Sequence, residues 1–122
     1  MRDAINWFEI AVQNFDRAIA FYEKVFAMKL KREVVAGEMP MAIFPAHPDG
    51  VGGALVVDDA RRSGDGGTRA YLNANGQLDA ILARVPSVGG QVLVPKIDIG
   101  DPGFIAVFSD SEGNVIGLHQ PR

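Results

Sequence analysis

Apolar and polar residues alternate at the start of the chain, over residues 5–12, as expected for a half-buried β-strand. Asn14 follows as a candidate helix N-cap. Beyond it, apolar side chains at positions 15, 18, 19, 22, 25 and 26 have the spacing of an amphipathic helix. Three strand-like runs come next, at residues 28–35, 39–44 and 53–57. The pattern predicts a β-α-β-β-β unit.

The same order of elements returns in the second half of the chain. It comprises a strand over 69–74, a short helix from Leu78 to Val85, and strands over 91–95, 104–108 and 115–119. Pairing Ala18-Ile19 with Ala80-Ile81 gives an internal offset of 62 residues. The sequence therefore predicts one α+β domain made of module one (1–57), a polar linker (58–67) and module two (68–122).

Composition excludes several classes of function. The chain has 122 residues, a net charge of −3 and no basic cluster interleaved with aromatics, so nucleic acid is not an expected partner. It has no cysteine, which excludes disulfides and thiolate chemistry. The first residues lack the apolar run of a signal peptide, and no stretch reaches the roughly 18 apolar residues of a membrane span. We expect a cytoplasmic protein without a membrane partner.

Two segments at opposite ends of the chain carry a family resemblance. Residues 5–18, INWFEIAVQNFDRA, with Phe21-Tyr22, resemble the opening strand and helix of the glyoxalase/bleomycin resistance/dioxygenase (vicinal oxygen chelate) superfamily. Residues 110–118, DSEGNVIGL, resemble its closing turn and strand, with Ser111 where the family usually has proline. The resemblance implies two tandem β-α-β-β-β modules that form curved sheets around a central cavity, often completed in a homodimer.

The resemblance also implies four metal-ligand positions. The family's usual histidine falls on Trp7 and its usual glutamate on Gly117, and the internal offset adds Arg69 and Leu55. Tryptophan and leucine offer no lone pair to a metal, glycine has no side chain, and arginine is a permanent cation. We therefore expect no metal cofactor at the usual site. A displaced divalent metal, held for example by Glu9 and His119, remains open.

The strand faces predict which residues line the cavity. Phe8, Ile10, Ile116 and Leu118 have the parity of residues that pack beneath helices. The opposite parity belongs to the candidate ligand-binding residues, which are Trp7, Arg69, Tyr71, Asn73 and Gly117. Arg69 could bind an anionic group of a ligand, and Gly117 would leave room where a metal ligand would otherwise stand. Trp7 could equally be a large core residue.

Glu9 and His119 share this inward parity and are the candidate catalytic residues. A carboxylate within an apolar strand is costly to bury unless it is paired, so Glu9 is either a general base or the ion-pair partner of Arg69. His119 could transfer a proton, or it could be an ordinary histidine near the terminus. The loop 96–103 could close over the cavity on its glycines, or it could simply connect two strands.

Three functions follow, and the sequence does not decide whether the protein is an enzyme. The first, which we favour, is metal-independent binding of a small organic molecule in the cavity. The second is a lyase, isomerase or hydrolase that uses Glu9 as a base. The third is a metal-dependent glyoxalase- or dioxygenase-like enzyme with a displaced site. The same architecture can host all three, so the side chains of the site must distinguish them.

Overall fold

The computed structural model describes residues 7–35, 39–57, 64 and 69–122. Module one contains β1 (Trp7–Val12), α1 (Phe15–Phe26), β2 (Lys31–Val35), β3 (Met39–Ile43) and β4 (Gly52–Val57). Module two contains β5 (Tyr71–Asn73), α2 (Leu78–Arg84) with a 3-10 turn (Val85–Val88), β6 (Gln91–Asp98), β7 (Phe104–Ser109) and β8 (Val115–Gln120). The predicted duplication of a β-α-β-β-β unit is confirmed. The predicted linker, apart from Gly64, and the predicted first two residues of the opening strand lie outside the described residues.

Each module forms one four-stranded sheet. The strand orders are β1-β4-β3-β2 and β5-β8-β7-β6, and in each sheet the first and last strands of the module pair in parallel. Glu9 lies opposite Ala54 in the first sheet, and Tyr71 lies opposite Gly117 in the second. Ala54 is therefore the counterpart of Gly117 in module one.

The prediction that Leu55 is the counterpart of Gly117 in module one was wrong. Leu55 is fully buried in the core on the helix side of its sheet, one residue out of phase with the face that carries Glu9. Successive residues of a strand point to opposite faces, so an offset that changes by one residue between the halves moves the side chain to the other face.

One core joins the helix-facing sides of both sheets. Ile10, Ile116 and Leu118 are buried in it and Phe8 packs against it, as the strand parity predicts. The rings of Phe21 in α1 and Phe108 in β7 stack with their centroids 6.0 Å apart. Full burial of one such side chain contributes about 1.5–3 kcal/mol to the stability of the folded state. Because both modules contribute side chains to this layer, it fixes their position relative to each other.

The start of α1 and the end of β6 can be compared with their predicted positions. The side chain of Asn14 accepts a hydrogen bond from the Arg17 backbone N–H at 3.0 Å, which confirms the predicted N-cap. Strand β6 extends to Asp98, three residues beyond its predicted end, so part of the loop predicted over 96–103 is strand. No helix within the described segments is long and apolar enough to cross a membrane.

Candidate ligand-binding cleft

A cleft of about 580 Å³ lies between the two modules. Its walls come from β1, the end of α1, the segment between β3 and β4, and the residues that begin module two. The lining residues are Phe8, Phe26, Met28, Phe44, Pro45, Val51, Arg69, Ala70, Tyr71, Leu72 and Asn73. Elements of both modules thus build one mostly apolar site.

The aromatic wall of the cleft is held in place from beneath. Phe8 and Phe44 lie with ring centroids 5.5 Å apart. The buried ring of Tyr22 contacts Phe44 edge to face at 5.6 Å and stacks on Phe26 at 6.1 Å. Offset and edge-to-face aromatic pairs favour fixed ring positions, so this wall is largely formed before any ligand arrives.

The polar side of the cleft lies on one short segment. Arg69, Tyr71 and Asn73, three of the five predicted ligand-binding residues, alternate along it and all line the cleft. The Oδ1 atom of Asn73 accepts a hydrogen bond from the Asn75 backbone N–H at 2.9 Å. The side-chain amide of Asn73 is thereby oriented with its NH₂ group as the part that remains for a ligand.

The other two predicted ligand-binding residues are placed elsewhere. Trp7 lies on the face of β1 away from the core, where its indole Nε1 donates to Glu9 Oε2 at 3.1 Å. Gly117 is buried beneath the ring of Tyr71, which lies so close that a Cβ at Gly117 would be 2.3 Å from Tyr71 Cδ1. The room that the sequence suggested at Gly117 is therefore filled by Tyr71 and is not open to a ligand.

The structure separates the two candidate catalytic residues from the cleft. Glu9 lies on the face of β1 that carries Trp7 and accepts a hydrogen bond from its indole. An ion pair with Arg69 was one alternative for Glu9, and Arg69 lines the cleft. His119 Nε2 lies 2.7 Å from the carbonyl oxygen of Pro102. His119 therefore contacts the 99–103 turn, and neither residue is among those that line the cleft.

The metal positions implied by the family do not fit a metal ion in this chain. Trp7 covers Gly52 on the parallel strand, where a Cβ would lie 3.0 Å from the indole ring. Tyr71 covers Gly117 in the same way in module two. In module one the ring thus belongs to an implied ligand position, Trp7, and in module two it covers one, Gly117. Within the segments that the structure describes, no three or more His, Cys, Asp or Glu side chains come together as a possible metal site.

The sequence reasoning missed a polar cluster that joins the modules, built by the turn at residues 110–114. The Glu112 side chain is fully buried and accepts hydrogen bonds from Gln13 N, Asn14 N and Arg17 Nε, at 3.0, 2.8 and 2.6 Å. Burial disfavours its charged form, but the bonds from Arg17, Asn14, Gln13 and Ser111 outweigh burial and lower the pKa of Glu112 to about 2. Module two thereby supplies a carboxylate to the positive N-terminus of α1.

Asp110 completes the cluster on its buried side. It accepts hydrogen bonds from the Tyr22 hydroxyl at 2.8 Å and from the backbone N–H of Asn114 at 2.9 Å. Burial raises the pKa of Tyr22 well above 10, and the charge of Asp110 raises it further. Asn114 in turn donates from Nδ2 to the carbonyl of Ala11 in β1. In the sequence, residues 110–114 indicated only the closing turn of the family. In the structure, their polar side chains join the two modules.

With the fold and site defined, the chain can be placed in a family. A model of the glyoxalase/bleomycin resistance protein/dioxygenase superfamily matches residues 4–118. The chain belongs to this superfamily. A sequence relative, "Putative glyoxylase CFP32" of Mycobacterium bovis, is 28% identical over 115 residues, which are 94% of this chain and 43% of that protein. The chain thus spans less than half the length of this relative.

Solved structures show the same fold at low sequence identity. A glyoxalase/bleomycin resistance protein from Albidiferax ferrireducens superposes with a TM-score of 0.72 at 17% identity, covering 98% of this chain and 100% of the other. The fosfomycin resistance protein FosX from Listeria monocytogenes gives 0.67 at 13% identity, covering 100% and 94%. At these identities the likeness establishes the fold alone.

Proposed function

We propose that this protein binds a small, largely apolar organic molecule in the cleft between its modules, without a metal ion. The observation that carries the proposal is the cleft itself: about 580 Å³, with walls of Phe8, Phe26, Met28 and Phe44. Sites for small molecules in proteins are typically apolar clefts of roughly 300–1,000 Å³ with a few placed polar groups. Arg69, Tyr71 and Asn73 are the polar groups here.

The chemistry of the wall supports binding over catalysis. No Asp, Glu or His is among the described residues that line the cleft, so that part of the wall offers no group that commonly acts as a general base near neutral pH. Catalysis by Glu9 would require a substrate on the opposite face of β1. That alternative, and a metal site displaced to Glu9 and His119, remain predictions.

The family gives this proposal a context. One solved relative is by name a fosfomycin resistance protein, and the superfamily's own name includes bleomycin resistance. Both names refer to small molecules. We further infer from the family that two copies of the chain form a homodimer, and the exposure of Trp7 and Tyr71, 43% and 46% in the single chain, supports this. We place the protein in the cytoplasm as a separate proposal.

Filling the cleft with a larger side chain tests the proposal. Val51 lines the cleft and is 43% exposed, so Val51→Trp should fold normally while its indole occupies the site. We expect the variant to bind the neutral fluorescent probe N-phenylnaphthylamine at least about tenfold more weakly than the parent, a loss of roughly 1.4 kcal/mol. Fluorescence titration measures the dissociation constants.

Val34→Trp is the matched control, because Val34 is 66% exposed on β2 and is not among the residues that line the cleft. It adds the same side chain at another exposed valine and should leave the affinity unchanged. An equal loss of affinity in both variants, or no loss in Val51→Trp, would contradict binding in this cleft.

A further inference from the structure

Arg69 is the charged residue among the described residues that line the cleft. Within residues 7–35, 39–57, 64 and 69–122, no ion pair or hydrogen bond engages its guanidinium. The other four arginines in that part of the chain, Arg17, Arg32, Arg84 and Arg122, each donate to a protein acceptor. Arg69 therefore holds a positive charge beside an apolar wall, and no anion among the described residues pairs with it.

The other polar groups of the cleft are suited to the same task. The Oδ1 atom of Asn73 is already used by the Asn75 N–H, so its NH₂ group remains as a donor. The Tyr71 hydroxyl can also donate, and the guanidinium of Arg69 can only donate. A set of donors beside one cation matches a ligand group that only accepts hydrogen bonds, such as a carboxylate or a phosphate.

We propose that the ligand of this cleft is an organic anion, whose apolar body packs on the aromatic wall and whose oxyanion binds Arg69. The inference rests on the proposed function and narrows it to one chemical class. An arginine can bind both oxygens of a carboxylate or phosphate in a planar, bidentate arrangement, and the adjacent apolar surface strengthens that attraction relative to water. Asn73 and Tyr71 would add hydrogen bonds to the same group.

Two fluorescent probes that share one aromatic skeleton and differ in charge test whether the cleft prefers an anion. Anilinonaphthalene sulfonate carries an anion, and N-phenylnaphthylamine is its neutral counterpart. We expect the parent protein to bind the anionic probe about tenfold more tightly than the neutral one, as a charge-assisted contact typically provides. Arg69→Met should abolish that preference, and Arg69→Lys should retain part of it.

Arg32→Met is the matched control, since Arg32 lies outside the cleft and its loss removes the same charge. It should keep the preference for the anionic probe. Displacement of the bound probe by naphthoate and by naphthyl phosphate then distinguishes a carboxylate from a phosphate, and either displacing better than neutral naphthylmethanol supports the proposal.

The outcomes separate the two proposals. If both probes bind the parent equally and Arg69→Met changes neither affinity, the cleft binds apolar molecules and the anion inference is overturned. If neither probe binds the parent, the proposed function fails together with the inference. If Arg32→Met loses the preference as completely as Arg69→Met, the effect reflects overall charge and the site at Arg69 is refuted.

Discussion

Replacing Glu112 with alanine is expected to lower the free energy of unfolding by about 2–4 kcal/mol at neutral pH, because its buried carboxylate holds several donors at once. The substitution leaves the N–H groups of Gln13 and Asn14, at the start of α1, without the acceptor that they now share. Arg17 loses its partner as well. Chemical denaturation of the parent and the variant measures the difference.

The same residue predicts a pH dependence. Glu112 has a pKa of about 2 in the folded protein, below the ordinary value of 4.5, so folding favours its ionised form. Its contribution is fully present above about pH 4.5 and is lost as the pH falls towards 2. This lowering of the pKa corresponds to about 2–3 kcal/mol of the free energy of unfolding, after allowing for solvent screening of the exposed Arg17. The stability difference between parent and variant should therefore shrink over this range.

Glu33→Ala is the matched control for both measurements. Glu33 pairs with Lys31 at 3.0 Å on the surface, where both side chains are well exposed. Its loss should change stability by about 0.5 kcal/mol or less. A Glu112→Ala variant as stable as Glu33→Ala, or a difference that does not narrow in acid, would show that Glu112 does not join the modules in this way.

Restoring the family's usual glutamate at Gly117 is expected to destabilise the protein by about 2–4 kcal/mol, without creating a metal site. Any side chain there begins with a Cβ atom 2.3 Å from the Tyr71 ring, so the ring must leave its place. The new carboxylate would also enter a buried position. The positions that should supply its fellow ligands hold Trp7, Ala54 and Arg69, which cannot coordinate a metal.

The double variant Tyr71→Ala/Gly117→Glu separates these causes. It removes the clash, so we expect it to be more stable than the sum of its two single variants predicts, a coupling that a double-mutant cycle measures. Gly117→Glu should also retain no divalent ion after desalting. A single variant as stable as the parent, or one that keeps a stoichiometric metal, would disprove the proposed role of the Tyr71–Gly117 contact.

The sequence predicted the features of this fold that depend on residues close together in the chain, such as strand faces and a helix cap. The parity of Ile10 and Ile116 and the N-cap at Asn14 follow from neighbours close in sequence, and the structure confirms them. The counterpart of Gly117 in module one was misassigned to Leu55 and is Ala54, because a constant offset cannot represent segments of unequal length.

The cleft and the polar cluster could not be read from the sequence in the same way. Phe26 ends α1, whereas Phe44 and Val51 lie in the segment between β3 and β4. Only the packing of the modules brings them to the segment that carries Arg69. Glu112 has the local sequence of a solvated turn, and its partners lie in the other module. Such sites depend on contacts between residues far apart in the chain, which periodicity does not encode.

The most direct test of a metal-free cleft is the metal content of the purified, untagged protein. Elemental analysis should be repeated after incubation with Ni, Co, Mn, Zn and Fe(II) and desalting. We predict no retention above background, with binding of N-phenylnaphthylamine unchanged by a chelator. Near-stoichiometric retention of one metal, lost in Glu9→Ala or His119→Ala, would contradict the account and identify a displaced metal site.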